Sequence, residues 1–504
     1  MNQSIIKGTL AFALATMISR ITGLLRDAFF AGYFGTSSQY DAYLVAILIP
    51  FFLRKIFAEG ALSMVFVPLF AEKKKKSLVE AFKFASTILI LVVSITGAIS
   101  LIGIFFSEPI SVTFAGGFEP EVIELTAKLM KITFPFVLLI STWSVFYGIL
   151  NSLNFYFIAA LSPAFINIST ITGIVLSRYL NPPILGPTIG FIIGGVAQLT
   201  VLIIASSKRG FRFTLTFDKE SAREFSLMFL IAMISPAITQ LNSLVDTRVA
   251  TELGSGAVSS LQYAMRLYQL PLGMFAVAVA TVSLAELSKF AGDNEREDFK
   301  KILWEAFGTL MFFVIPATIG LMILSKEIVA LLFQRGKFTF EDTLNTSRIL
   351  RAYAVGMPFY GIFGIFSRAH YARKNPRFPS IVAMIMAGTN ILLDIILGLT
   401  IGPVGIAWAT TIAGILGAMI VSFGIFKKIG YESGYIRETL KIAICTSGMV
   451  FVLVLLKALL PFSTLSSLIE IVAGTAIFML LAKLLGVKEL EGFMKFLIGR
   501  KTRG

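Results

Sequence analysis

Arg20, Arg26, Arg54 and Arg266 interrupt stretches that are otherwise apolar enough to cross a membrane. One arginine at the centre of a spanning helix costs about 2.5–3.5 kcal/mol, so four facing hydrocarbon would cost roughly 10–14 kcal/mol. The pattern predicts that they face water inside a helical bundle, where a cavity lined by guanidinium groups receives an anion. Arginine suits phosphate in particular, because its planar fork donates two parallel hydrogen bonds and stays charged at any cellular pH. Internal ion pairs are the alternative use of these charges: Arg26 with Asp27 or Asp41, and Arg54 with Glu59. Arg20, Arg26, Arg54, Lys55 and Arg266 outnumber those three acids, and the positive surplus calls for a ligand.

A second group differs in kind. Asp246 falls deep in one apolar stretch, while Asn390 and Asp394, four residues apart, share one face of another. Thr410 and Thr411 follow in the next apolar stretch. Carboxylate, amide and hydroxyl oxygens are hard ligands suited to a small cation such as sodium, or to a proton relay. The plainer alternative is an ion pair of Asp246 with Arg248 and a wall-capping role for Asp394. His370, the one histidine, stands between Arg368 and Arg373 and reads as a surface residue without metal-ligand neighbours. No P-loop, HExxH or Gly-x-Ser-x-Gly element is present, so neither ATP nor those hydrolytic chemistries is indicated, and no cofactor is expected beyond a coupling ion.

The elements that carry these residues follow from composition. Hydrophobic residues make up 56% of the 504 and charged ones 14%, against about 25% charged in soluble domains. Long continuous apolar runs predict an all-α polytopic membrane protein, not a barrel of short alternating strands. Fourteen transmembrane helices are expected, near 8–34, 40–70, 84–106, 122–150, 155–178, 185–206, 224–252, 258–287, 304–325, 346–371, 378–400, 404–426, 438–460 and 466–485. The first of these runs through Arg20 and Arg26-Asp27 with no cleavage signature, so it reads as a span and not a removable leader. Cys445 lies in an apolar run and reads as core filler.

The net charge of +15 comes from cations in alternate loops, among them Lys73–Lys76, Lys208–Arg223, Lys289–Lys301, Arg373–Arg377 and Lys427–Lys441. That is the positive-inside pattern; it places both termini in the cytoplasm and removes any need for nucleic acid as a partner.

The chain also repeats itself at offsets near 220. Met17-Ile18-Ser19 recurs as Met233-Ile234-Ser235, Gly35 as Gly254, Pro50 as Pro271, and Asn154 and Asn167 as Asn375 and Asn390. The segment Phe114–Phe118 is likewise echoed at Phe333–Phe338. Six helices per repeat is an even number, so two parallel six-helix lobes enter the membrane the same way around a central cavity. The expected organisation is 1–215 for the first lobe, 216–430 for the second, and 431–504 for two extra C-terminal helices with a basic amphipathic tail. The tail shows Leu490, Phe493, Met494 and Leu497 on one face.

Several motifs resemble a known family. Arg20, Gly23-Leu-Leu-Arg-Asp27, Asp41-Ala-Tyr43, Glu59-Gly-Ala-Leu-Ser63 and Phe66-Val-Pro68 in the first half are similar to the MurJ (MviN) family of lipid II flippases, of the multidrug/oligosaccharidyl-lipid/polysaccharide exporter superfamily. So are Tyr263-Ala264, Arg266-Leu267 and Pro271-Leu-Gly273 in the second. The likeness spans essentially the whole chain; Gln269 departs from it, where some relatives carry an acid. It implies that Arg20, Arg26, Asp27, Asp41, Arg54, Glu59 and Arg266 serve a pyrophosphate-sugar head group, and that the last two spans form a groove for the polyprenyl tail. It favours a sodium site at Asp246, Asn390, Asp394 and Thr410, and a monomer in the bacterial cytoplasmic (inner) membrane near cell-wall synthesis proteins, with lipid II and membrane lipids as partners. The expected activity is flipping of lipid II to the outer leaflet by alternating access, driven by membrane potential or a cation gradient, without enzymatic chemistry. A polysaccharide-lipid or drug exporter of the same superfamily is the nearest alternative, although a drug-cation exporter would line its cavity with acids. A polyprenyl-pyrophosphate phosphatase would need a nucleophile or metal cluster that the sequence lacks.

Overall fold

A computed structural model describes residues 3–57, 62–290, 296–430 and 432–491. The described residues are overwhelmingly helical, and eleven of their helices are long and apolar enough to cross a membrane. The segments expected to supply three further spans are helical as well, as Gln3–Phe34, as Ser38–Arg54 with Leu62–Lys76, and as Lys219–Ala232 with Ile234–Thr251. They are the segments that carry Arg20, Arg26, Arg54 and Asp246, which lowers their apolarity. The expected site residue Glu59, and tail residues 492–504, lie outside the described residues.

Helix starts follow from local chemistry. Ser77 precedes Leu78–Phe105 and its Oγ accepts the Glu80 N–H at 3.0 Å. Thr339 and Asp342 form a reciprocal capping box at the start of Phe340–Ala372, and Pro120, Pro163 and Pro403 open their helices where an N–H would have no partner. Two pairs of helix ends match at one offset. Asn154 and Lys374, 220 residues apart, both take positive φ, and so do Gly210 and Gly430 at the same separation. After each of the first pair, the next N–H bonds five residues back: Phe155 to the Leu150 carbonyl at 2.8 Å and Asn375 to the His370 carbonyl at 2.9 Å. Both helix ends therefore close in the same way, through a residue in the left-handed region.

The chain forms two compact units, Met1–Ser259 with Gly336–Phe338, and Ser260–Arg335 with Thr339–Gly504. In the first unit, Pro163–Leu176 and Leu185–Ser207 pack backbone to backbone: a Cβ on Gly173 would overlap the Gly186 carbonyl. Small residues at such crossings are how apolar helices associate without a hydrophobic driving force. In the second unit the C-terminal helices Ser433–Leu459 and Thr464–Leu484 form a hairpin. Lys457 Nζ, on the first of them, pairs with Glu327 at 2.8 Å and donates to the Ile323 carbonyl at 2.9 Å. Phe478, on the second, packs against Phe312 with ring centroids 5.4 Å apart.

Cys445 is a buried free thiol. His370 is not a surface residue: it is 3% exposed and packs against Phe378 at 4.9 Å. On a helix His370 shares its face with Phe366 and Ser367, which are buried too, and not with its charged neighbours in sequence.

Candidate functional site

In the first unit the helix Gln3–Phe34 carries Arg20, which is exposed, and Arg26. Arg26 reaches Asp27 Oδ1 through Nε at 3.1 Å and Nη2 at 2.7 Å, and Asn167 Oδ1 through Nη1 at 3.2 Å. Asn167 comes from Pro163–Leu176, and its amide nitrogen donates to the Ser19 carbonyl at 3.2 Å and Thr22 Oγ1 at 3.1 Å. Asn167 thus sets the pose of the guanidinium across 141 residues of sequence. In the sequence Asn167 stands out only as the counterpart of Asn390, and that correspondence is the one signal there of a site residue. Three of the five N–H donors of Arg26 are engaged, which leaves two for an incoming oxygen.

Asp41 is fully buried and belongs to a different structure. Its Oδ2 accepts the Gly256 N–H at 2.6 Å and its Oδ1 accepts the Ser259 N–H at 2.8 Å. It therefore caps the chain where the helix Ala257–Pro271 begins, satisfying N–H groups that helix starts leave open. Gly256 takes φ +86° there, and a Cβ would crowd the Thr36 carbonyl at 2.7 Å. Asp41→Ala is expected to cost about 1–2 kcal/mol as a lost cap, with Asp41→Asn recovering part because one acceptor oxygen remains. Thermal unfolding of the purified variants checks this; unchanged melting in both would remove the capping role.

Arg54 ends the helix Ser38–Arg54, which contains Pro50, and its guanidinium lies 5.4 Å from the Phe51 ring centroid. π-helical residues follow at 55–57. Arg266 is half-buried in Ala257–Pro271, and again a π-helical turn, Leu272–Ala276, follows the proline. Such turns mark inserted residues and recur at functional sites. Both halves thus place an arginine next to a proline and a π turn.

Of the second group, Asp246 is half-buried in Ile234–Thr251, in the first unit. Arg248 directs its guanidinium to Glu252 at 2.5 Å and Thr251 at 3.2 Å. Asn390 and Asp394, both buried in the second unit, are joined by an amide–carboxylate hydrogen bond of 2.8 Å. Thr410 bonds back to its own helix at the Ile406 carbonyl, 3.2 Å, and Tyr360 donates to the Thr410 carbonyl at 3.0 Å. Thr411 instead crosses to the Ala352 carbonyl at 2.7 Å. Among the described residues no group of three or more His, Cys, Asp or Glu is placed to hold a metal ion, so cation binding here would draw on amide and hydroxyl oxygens as well.

A family model described as lipid II flippase MurJ matches residues 30–473. The chain belongs to this family. A probable lipid II flippase MurJ from Thermotoga maritima is 37% identical over 496 residues, covering 98% of this chain and 99% of the relative. The lipid II flippase MurJ of Thermosipho africanus is 39% identical over 452 residues, covering 90% and 91%. A solved lipid II flippase MurJ in an inward closed conformation superposes with a TM-score of 0.83 at 39% identity, over 94% of this chain and 98% of that one. An inward-facing multidrug resistance MATE transporter of the MOP superfamily matches with a TM-score of 0.70 at 14% identity, over 85% and 99%, which shows a common fold. The protein is therefore a multi-span helical membrane protein of the MurJ family.

Proposed function

We propose that this chain moves lipid II from the cytoplasmic to the outer leaflet of the bacterial cytoplasmic membrane, with both termini on the cytoplasmic side and fourteen spans in all. The observation that carries the chemistry is Arg26, a guanidinium inside an apolar helix, held by Asp27 and Asn167 with two donors to spare. Family membership supplies the substrate class: a pyrophosphate-linked sugar head group on a polyprenyl chain. In this reading Arg20, Arg26, Arg54 and Arg266 bind the head group, Asp27 and Asp41 position helices and cations around it, and the C-terminal hairpin gives the tail an apolar path. The lobes are 1–215 and 216–430, with 431–504 as the appendix. The protein acts as a transporter and not as an enzyme.

Transport follows alternating access: the arginines are open to one side of the membrane and then to the other. An inside-negative potential favours outward movement of an anion by about 2.3 kcal/mol per charge per 100 mV. Sodium, bound through Asp394, Asn390 and Thr410 with Asp246 as the further carboxylate to test, is the proposed coupling ion. Asp394→Asn is expected to abolish the rise in melting temperature that sodium gives the parent, since a ligand bound only by the folded state stabilises by mass action. Equal sodium responses in both proteins, or none in either, would sink the sodium assignment.

The function itself is tested by supplying this protein to bacteria depleted of their own flippase. The expected result is that lipid II becomes accessible to a reagent added outside the cells. If lipid II stays inaccessible while the protein is present in the membrane at normal levels, the proposal fails.

A further inference from the structure

In the first unit a cavity of about 520 Å³ opens where the loop after Pro135–Ser152 meets the last turns of Leu185–Ser207. It shares no residue with the Arg26 cluster. Its walls include Leu150, Ile158, Val201 and Ala205, while Phe157 and Ile204 are exposed at 40% and 50%. Lys208 and Arg209 line the same cavity and are exposed just past the helix end. Among the described residues neither is paired with a carboxylate. The Arg209 guanidinium lies 3.4 Å from the Phe155 ring centroid, and Lys74 donates to the Ser152 carbonyl at 3.0 Å on the adjoining loop. An aromatic face holds Arg209 at the cavity without neutralising it.

We propose that this cavity binds an anionic glycerophospholipid, with an acyl chain against the apolar walls and the phosphodiester on Lys208 and Arg209. The volume falls in the range of about 300–1,000 Å³ typical of small-ligand sites. An apolar slot with cations on one side matches an amphiphile of net negative charge, whereas a zwitterionic lipid brings a cation of its own to the same end and gains less from Lys208 and Arg209. The last carbonyls of Leu185–Ser207 repel an anion with about half a charge, which two full cations outweigh. These residues belong to the basic segment Lys208–Arg223, which the loop-charge pattern assigns to the inner leaflet, where anionic lipids attract basic groups.

The test uses the purified full-length chain, stripped of lipid and titrated with phosphatidylglycerol or phosphatidylcholine of identical chains, with bound lipid counted by native mass spectrometry. The parent is expected to prefer phosphatidylglycerol, and the double variant Lys208→Gln with Arg209→Gln to bind it about tenfold to thirtyfold more weakly, with a smaller loss for phosphatidylcholine so that the preference disappears. Ala205→Phe, which fills the slot and keeps the cations, is expected to weaken both lipids while its melting temperature stays that of the parent. Equal binding of the two lipids by the parent overturns the proposal, as does full phosphatidylglycerol affinity in either variant. Displacement of phosphatidylglycerol by equimolar lipid II, abolished by the same variants, would also overturn it by making the cavity a substrate site. Because binding is read directly, the result is independent of whether the protein flips lipid II.

Discussion

Arg26→Ala is expected to abolish transport, lowering it about 100-fold or more, because two charge-assisted hydrogen bonds to a phosphate group disappear at once. The same substitution takes the Arg26 charge away from Asp27, which is 4% exposed, so loss of activity alone would not separate substrate binding from helix stability. The pair Arg26→Ala with Asp27→Asn separates them. Removing both charges together avoids a buried carboxylate deprived of the Arg26 counter-charge, so folding should recover. Transport should not recover if Arg26 contacts the head group. Arg26→Lys should rescue poorly, since an ammonium cannot reach Asp27 and Asn167 as a planar fork while still offering parallel donors. Growth of flippase-depleted cells on the double variant, at normal protein levels, would reduce Arg26 to a counter-charge.

The largest expected effect on stability lies in the C-terminal appendix. Lys457 pairs with Glu327, and Glu470 lies within electrostatic reach of both. Glu327 and Glu470 are each 4% exposed. Lys457→Met strips the cation from two buried carboxylates and should cost about 3 kcal/mol, the low end for breaking a buried pair, because the Lys457 side chain itself keeps 31% exposure. Adding Glu327→Gln should restore most of that loss. Denaturation of the detergent-solubilised protein measures both, and a Lys457→Met variant as stable as the parent would dismiss the pair as a stabilising element.

Much of the fold was legible because lipid imposes one rule: apolar runs must be helices that satisfy their own backbone. Gly210 and Gly430, which both take positive φ at one offset, are not among the repeat markers that the sequence offers, because a helix end depends on single residues. Arg26 stood out for the cost of a cation in an apolar segment. What stayed hidden were partners distant in sequence. Asp41 was grouped with the arginines by proximity in the chain, yet its oxygens hold backbone N–H groups at Gly256 and Ser259. Asn167 holds Arg26 from 141 residues away, and Lys457 finds Glu327 from 130 residues before it. No periodicity reports such meetings. His370 failed for a nearer reason: charged neighbours outweighed a buried helical face.

The π turn at Leu272–Ala276 has an angular consequence for the span that contains it. An unbroken α-helix advances about 100° per residue, so positions fourteen apart point within roughly 40° of each other. One inserted residue breaks that alignment. Leu267 is buried whereas Thr281 is exposed, and Gln269 is exposed whereas Ser283 is buried. The two ends of one continuous rod therefore show opposite sides to their surroundings, as if two half-helices had been joined with a quarter-turn of twist. A wheel drawn with a single phase along this span misplaces one end or the other. Deleting one residue within the turn would bring the ends back into phase and swing the stretch after it around its own axis, with Arg266 left where it is.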